Sequence, residues 1–295
     1  MDKQIGLSRR TLMAGVASLP ALGASVTACA QPRGTMAPAA AAQSGAKQPI
    51  PLFDGRTLNG WHSIARGTDD PYNHGRWFVQ DGSIVGGREP IDSPFGSYLV
   101  SDDVYGQFDL TYDMNPDWPT DTGLYVRTSA MVTVAYQIHY DYRPYGSIGT
   151  IFGNGMGDWR ARQYAFDMKP DAQGKPTRFE RIDLQDMRNN PGLARLAGDP
   201  EALAYVGDPE EVFHAIKPGE WNRMRVRVEG GALPYITTWV NDVKVIELDA
   251  KTYRNKGFDA ATVAEQLGPR GHIALEVHND VPNGGGGIPR WGGGA

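Results

Sequence analysis

The stretch VAYQIHYD, Val134 to Asp141, decides how this chain is to be read. Val134, Tyr136, Ile138 and Tyr140 alternate with Ala135, Gln137, His139 and Asp141, the period-two pattern of a β-strand with one face in a core. The opposite face carries an amide, an imidazole and a carboxylate in a row. A merely solvated strand face more often shows Lys, Thr or Glu, so the row is a candidate site as well as a strand.

Outward from it, the same pattern recurs. RWFVQDGSIVGG reads as a hairpin turning at Asp81-Gly82, and YITTWVNDVKVIEL as another turning at Asn241-Asp242. SYLVS, GQFDLTYDMN, TGLYVRTS, MRVRVEGG and GHIALEVHND are further strand-like runs. Helical signal is confined to three short segments opened by an Asp cap: DPEALAYVG, DPEEVFHAI and DAATVAEQLG. Many strands and few helices predict an all-β sandwich or jelly roll. Residues 142–200 are rich in Gly, Pro and Arg and lack sustained periodicity. They read as a long loop region, which in such folds often carries function.

The 295 residues suffice for one large core, and 37 Gly and 21 Pro spread between apolar runs mark turns. A net charge of -5 without a long Lys/Arg run argues against a nucleic-acid partner. The N-terminus is an address. Arg9 and Arg10 lie in SRRTLM, before an Ala/Gly/Leu-rich segment ending at the only cysteine, Cys29. This is the shape of a twin-arginine export signal. VTAC also resembles a lipobox, making Cys29 the expected lipidation site and a lipid anchor the only expected membrane contact. Residues 1–29 are thus read as signal, 30–49 as a flexible Ala/Pro/Gln/Gly-rich linker, and 50–295 as the folded domain, exported to the periplasm or held there as a lipoprotein. With a single cysteine, no internal disulfide can form.

Parity sorts the candidate residues. In GHIALEVHND, Ile273, Leu275 and Val277 are core, so His272, Ala274, Glu276 and His278 share the other face. In TGLYVRT, Leu124 and Val126 face the core, leaving Tyr125 and Arg127 opposite. Asp109 and Asp113 oppose the core residues of FDLTYDM. Trp61, Trp77, Trp221 and Trp239 read as core, whereas Trp118, Trp159 and Trp291 lie in Gly/Pro loops, placed to stack on a ligand. Arg127 reads either as a site residue or as half of a structural ion pair. The chain has no G-x-S-x-G, Walker loop, H-E-x-x-H or dinucleotide fingerprint.

PLFDGRTLNGWHS, WFVQDGSIVGG, YGQFDLTYDM, TGLYVR, KPGEWNRMRVRVEGG, TTWVNDVKV and GHIALEVHND, in that order, resemble the 3-keto-disaccharide hydrolase domain family across Pro51 to Trp291. YDYRPYGSIGTIFGNGMGDW is similar to a Gly-rich insert of one branch. The chain departs from many members in having Ala135 where they carry Glu, and in stopping at RWGGGA where they add a final strand. The resemblance implies a concanavalin A-like jelly roll with few short helices, and an enzyme cleaving glycosidic bonds of 3-keto-glycosides. A 3-keto group acidifies the C2 proton, so cleavage by β-elimination needs a base, an acid for the leaving oxygen and a positive centre at the enolate oxygen. The polar rows offer Glu276 or Asp141 as base and His278 or His139 as acid. Arg127 or a divalent ion, with Mn, Zn and Ca not distinguished, would be the positive centre, and Gln137, Tyr125 and Trp159 would bind substrate. A non-catalytic sugar-binding module and an ordinary two-carboxylate glycosidase are the competing readings.

Overall fold

The computed structural model describes residues 49–66, 74–88 and 93–278, together with the backbone of 290–292. The signal segment and Cys29 lie outside the described residues, as does the linker up to residue 48.

Two antiparallel sheets pack face to face as a jelly-roll sandwich. With strands numbered in chain order, the first sheet runs β1 (Trp61–Arg66), β4 (Gly96–Ser101), β16 (His272–Val277), β6 (Asp121–Thr128), β7 (Ala135–Asp141), β8 (Ile148–Asn154) and β9 (Arg160–Ala161). The second runs β12 (Tyr205–Val206), β15 (Val243–Asp249), β14 (Tyr235–Val240), β13 (Asn222–Glu229), β5 (Phe108–Met114), β17 (Arg290–Gly292), β3 (Ser83–Gly87) and β2 (Arg76–Gln80). The helices are short: α1 (Leu184–Asn189), α2 (Ala194–Ala197), α3 (Pro209–Ala215) and α4 (Ala260–Leu267). No described helix is long and apolar enough to cross a membrane.

Alternation explains the layering. Leu124, Tyr136, Ile138, Tyr140, Ile273 and Leu275 of the first sheet meet Tyr112, Met114, Met224, Val226, Val228 and Ile236 of the second in one continuous core. Both hairpin turns expected from sequence form, with positive φ at Asp81, Gly82, Asn241 and Asp242, as a two-residue turn between twisted strands requires. Asp208 and Asp259 cap α3 and α4 through their side chains, whereas DPEALAYVG forms only a 3-10 turn, Pro200–Ala202. The helix α1, capped by Asp183, was not expected.

Two sequence expectations change. Residues 142–200 are not a loop region: they hold β8, β9, the two-stranded ribbon β10 (Ala165–Pro170) and β11 (Pro176–Ile182), α1 and α2. The RWG segment does not leave a sheet edge open; as β17 it lies inside the second sheet, paired to both β3 and β5.

The most specific sequence marks prove structural. In LFDG-x-x-L-x-GW, Asp54 Oδ1 accepts from the amides of Arg56 and Thr57, and the Trp61 indole donates to the Leu52 carbonyl. In GEWN, the buried Asn222 amide ties together Lys217, Glu220 and Tyr140, and the Asn241 side chain of VND donates to it at 2.7 Å.

Candidate active site

The face of the first sheet turned away from the core carries the polar rows. Gln137, His139 and Asp141 project from β7, Tyr125 and Asp121 from β6, and Glu276 from β16, with His278 just beyond it. Tyr98, Val100, Tyr125, Val132, Ala135 and Ala274 form a second apolar cluster on this face. The polar groups therefore sit in a low-dielectric setting: Gln137 is 3 % exposed, and Glu276 is completely buried.

Burial of a carboxyl group is costly unless it is fully hydrogen-bonded. Around Glu276 the requirement is met from three strands. Tyr125 Oη donates to Oε1 at 2.8 Å, Gln137 Nε2 donates to Oε2 at 2.8 Å, and Arg66 Nε lies 3.1 Å from Oε1. Arg66 also donates to Tyr98 Oη, and the Tyr98 ring meets Tyr125 edge-on at 5.2 Å. Burial and the Glu276 carboxylate push the Tyr98 hydroxyl up to about 12, and the same two causes raise Tyr125, so both stay donors. Gly123, opposite His139 on β6, makes this possible: a Cβ there would stand 2.8 Å from the Gln137 side chain that crosses it.

A second group lies further along the same rows. Asp121 and Asp141 are directly opposed in the β6–β7 register. One guanidinium, Arg143, binds both: its Nε donates to Asp141 Oδ1 at 3.0 Å and its Nη2 donates to Asp121 Oδ2. His278 Nε2 stands 3.3 Å from that same Asp121 oxygen. Burial, and then the neighbouring Asp141, push the Asp121 carboxyl up to about 8, against the pull of His278 and Arg143. Burial and Asp141 thus favour its protonated form.

His139, between the two groups, stacks on Phe152 with ring centroids 5.5 Å apart. Burial first, then the positive charges of Arg160, Arg143 and Arg162, hold its imidazole well below the usual histidine range. The neutral imidazole is thereby favoured, which disfavours His139 against His278 as the acid.

The structure thus brings Gln137, His139, Asp141, Glu276, His278 and Tyr125 to one face, as parity predicted. Two residues expected at substrate are elsewhere. The Arg127 guanidinium donates to the backbone carbonyls of Gly106, Gly230, Gly231 and Gly268 at 2.9 to 3.2 Å, away from the polar rows, and among the described residues it makes no ion pair. Trp159 is 2 % exposed and packs against Tyr136, Tyr253 and Phe258, which leaves no face for a sugar. Asp109 and Asp113 lie on β5 of the other sheet, paired to Arg225, Arg227 and Arg223. Sequence reasoning missed Asp121, Arg143 and Arg66. The first two carry the parity of their rows one step past the strand ends that had been drawn.

Among the described residues, no group of three or more His, Cys, Asp or Glu side chains is disposed to hold a metal ion. The carboxylates of this face are held by Arg143, Arg66, Tyr125 and Gln137, and this donor set does not fit a divalent ion.

The fold is a jelly roll whose outer sheet face carries an opposed pair of aspartates, a guanidinium shared between them and two histidines. Residues 48–283 match the family model described as the 3-keto-alpha-glucoside-1,2-lyase-like domain, and the chain belongs to that family. It matches no curated protein sequence. Among solved structures it is similar to a provisionally assigned glycosyl hydrolase from Parabacteroides distasonis, with 17% identity over 81% of this chain and 89% of that one and a TM-score of 0.42. It is also similar to the carbohydrate-binding module CBM66 from Bacillus subtilis, with 13% identity over 79% and 92% of the two chains and a TM-score of 0.41. A third is a galectin-like protein of unknown function from Bacillus subtilis, with 11% identity over 82% and 91% and a TM-score of 0.39.

Proposed function

We propose that this chain cleaves the glycosidic bond of 3-keto-glycosides by removing the C2 proton and eliminating the C1 substituent. The observation that carries the reading is the Asp121–Asp141 pair, opposed in register, bridged by Arg143 and touched by His278. Asp141, with neutral His139 beside it on the same strand face, takes the C2 proton. The C–H electron pair moves onto the C3 oxygen as an enediolate, where the Arg143 guanidinium offsets the developing charge. Collapse of the enediolate forms the C1–C2 double bond and breaks the C1–O bond. The leaving oxygen takes the proton that Asp121 holds, and His278 is placed to replace it. Water adding across the new double bond would turn the eliminated product into the hydrolysis product.

Glu276 is given a different role from the base anticipated in sequence. Glu276 is completely buried and bound from three different strands, so it fixes Gln137, Tyr125 and Arg66 and acts as a positioning residue. The twin-arginine segment and Cys29 support action outside the cytoplasm, in the periplasm or on a lipid anchor.

The test is one comparison. Purified protein should release the aglycone from a 3-keto-glucoside, leave the unoxidised glucoside intact, and exchange the C2 proton with deuterated solvent. Asp121→Asn and Asp141→Asn should each lower turnover by roughly 10²-fold or more. Equal cleavage of both substrates would support an ordinary two-carboxylate glycosidase instead. Binding of either sugar without cleavage would leave a sugar-binding module.

A further inference from the structure

A shallow groove lies on the far side of the sandwich, on the outer face of the second sheet where it meets α3. Its volume is about 1060 Å³, and Trp221, His214, Glu211, Asp113, Arg223 and Asp242 are among its lining residues. Trp221, expected in the core, is 38 % exposed, and no other described tryptophan is exposed to that degree.

The turn that carries the indole is anchored. The adjoining Asn222 is completely buried and pins the Lys217–Trp221 turn from both ends of its amide, accepting from the Lys217 amide at 2.8 Å and donating to the Lys217 and Glu220 carbonyls. Tyr140 and Asn241 anchor the same amide. An anchored backbone reduces the conformational freedom that is lost when a ligand lies on the ring.

The rim offers paired polar groups. Arg223 Nε donates to Asp113 at 3.1 Å, leaving the rest of both groups toward the groove. His214 Nδ1 donates to the Glu210 carbonyl at 2.7 Å, which fixes the tautomer and leaves Nε2 as an acceptor. Carboxylates outnumber cations along the lining, so an anionic ligand is disfavoured. A flat aromatic face ringed by acceptors and a few donors matches a neutral pyranose, whose C–H face is apolar and whose edge is hydroxyls.

We propose that this groove is a second, non-catalytic binding site for neutral oligosaccharide, separated from the candidate active site by both sheets and the core. It would hold a longer saccharide on the protein while a terminal unit is processed elsewhere. The choice of an α-glucan probe rests on family membership; the site itself does not depend on the catalytic reading.

Calorimetric titration of the whole chain with maltotetraose should give saturable binding, weakened roughly tenfold or more by Trp221→Ala and retained by Trp221→Phe. Asp141→Asn should leave that binding intact while removing turnover, and Trp221→Ala should leave turnover of a short 3-keto-glucoside unchanged. If no sugar is cleaved but these binding results hold, the catalytic reading fails and the groove stands. Absence of saturable binding, or binding of equal strength by parent and Trp221→Ala, overturns the groove. So does a dimer in sedimentation that Trp221→Ala dissociates, because the indole would then be an interface between copies.

Discussion

Replacing Glu276 by Gln tests whether the buried network organises the site. The change conserves shape and removes one charge. In the parent, Oε1 accepts from Tyr125 and faces Arg66, and Oε2 accepts from Gln137. An amide at 276 turns one acceptor into a donor, so its NH₂ must face another donor and Arg66 loses its carboxylate. Breaking a buried pair by removing one partner costs about 3–5 kcal/mol. The Arg66 side chain keeps 18 % exposure and can recover some solvation, which places the expected loss near the lower figure. For a domain of this size that is a fall in Tm of roughly 6–12 °C. Asp109→Asn is the control: it removes the same charge from a carboxylate bound by both Arg225 and Arg227, but one 38 % exposed. Surface pairs of that kind contribute less than about 1 kcal/mol, a shift below roughly 4 °C. Thermal unfolding followed by circular dichroism reads both variants. Equal shifts in the two proteins refute the reasoning, because burial would then have made no difference.

Four further outcomes are expected. The folded-state value of Asp121 is raised, so its neutral form contributes stability that is fully present below the unfolded carboxyl value near 4 and is lost as pH rises through about 8. Urea midpoints of the parent should fall from pH 5 to pH 8 more than those of Asp121→Asn, and identical pH dependence in the two would contradict the raised value. Arg127→Met strands four carbonyls and should destabilise by about 3 kcal/mol with KM unchanged; a raised KM at parental stability would return Arg127 to the substrate. Turnover should survive dialysis against a chelator, and a loss restored by a divalent ion would put a metal at the positive centre. Arg9→Lys with Arg10→Lys should leave unprocessed protein in the cytoplasm, and Cys29→Ala should abolish lipid labelling; normal processing and labelling would show both features to be incidental.

The strand faces were legible because side-chain parity is a local property. Once Tyr136, Ile138 and Tyr140 are core, Gln137, His139 and Asp141 must share the other face, and the same step places Glu276 and Tyr125. Parity says nothing about what a side chain touches when the backbone departs from the pleat. Arg127 has a left-handed backbone, φ 54°, and the β16–β6 register shifts between His272 and Ala274, so its guanidinium leaves the row it belongs to by count. Trp159 was misplaced because GNGMGDW reads as an open turn. Gly153 is in fact the floor under its ring, where a Cβ would come within 2.2 Å of the indole. A glycine directly across the ladder from an aromatic can mark a packing slot as readily as a loop.

The missed residues show where a better reading of sequence would begin. Asp121 precedes Gly123 and Tyr125 by the same step of two that orders the row, and Arg143 follows Asp141 by that step. Ending the strands where hydrophobic alternation ended cut both rows short, although polar residues at a strand end obey the same pleat. Chemistry could have flagged them as well. A row carrying Asp141, Glu276 and two histidines on a buried face needs positive charge nearby, for which the sequence reading offers Arg127 or a divalent ion. In the fold that charge comes from Arg143, two residues after Asp141, and from Arg66 at the end of β1, whose partner Glu276 is 210 residues away in the chain. The first was within reach of period-two counting. The second was not, because only the pairing of β1 with β4 and of β4 with β16 brings Arg66 beside Glu276.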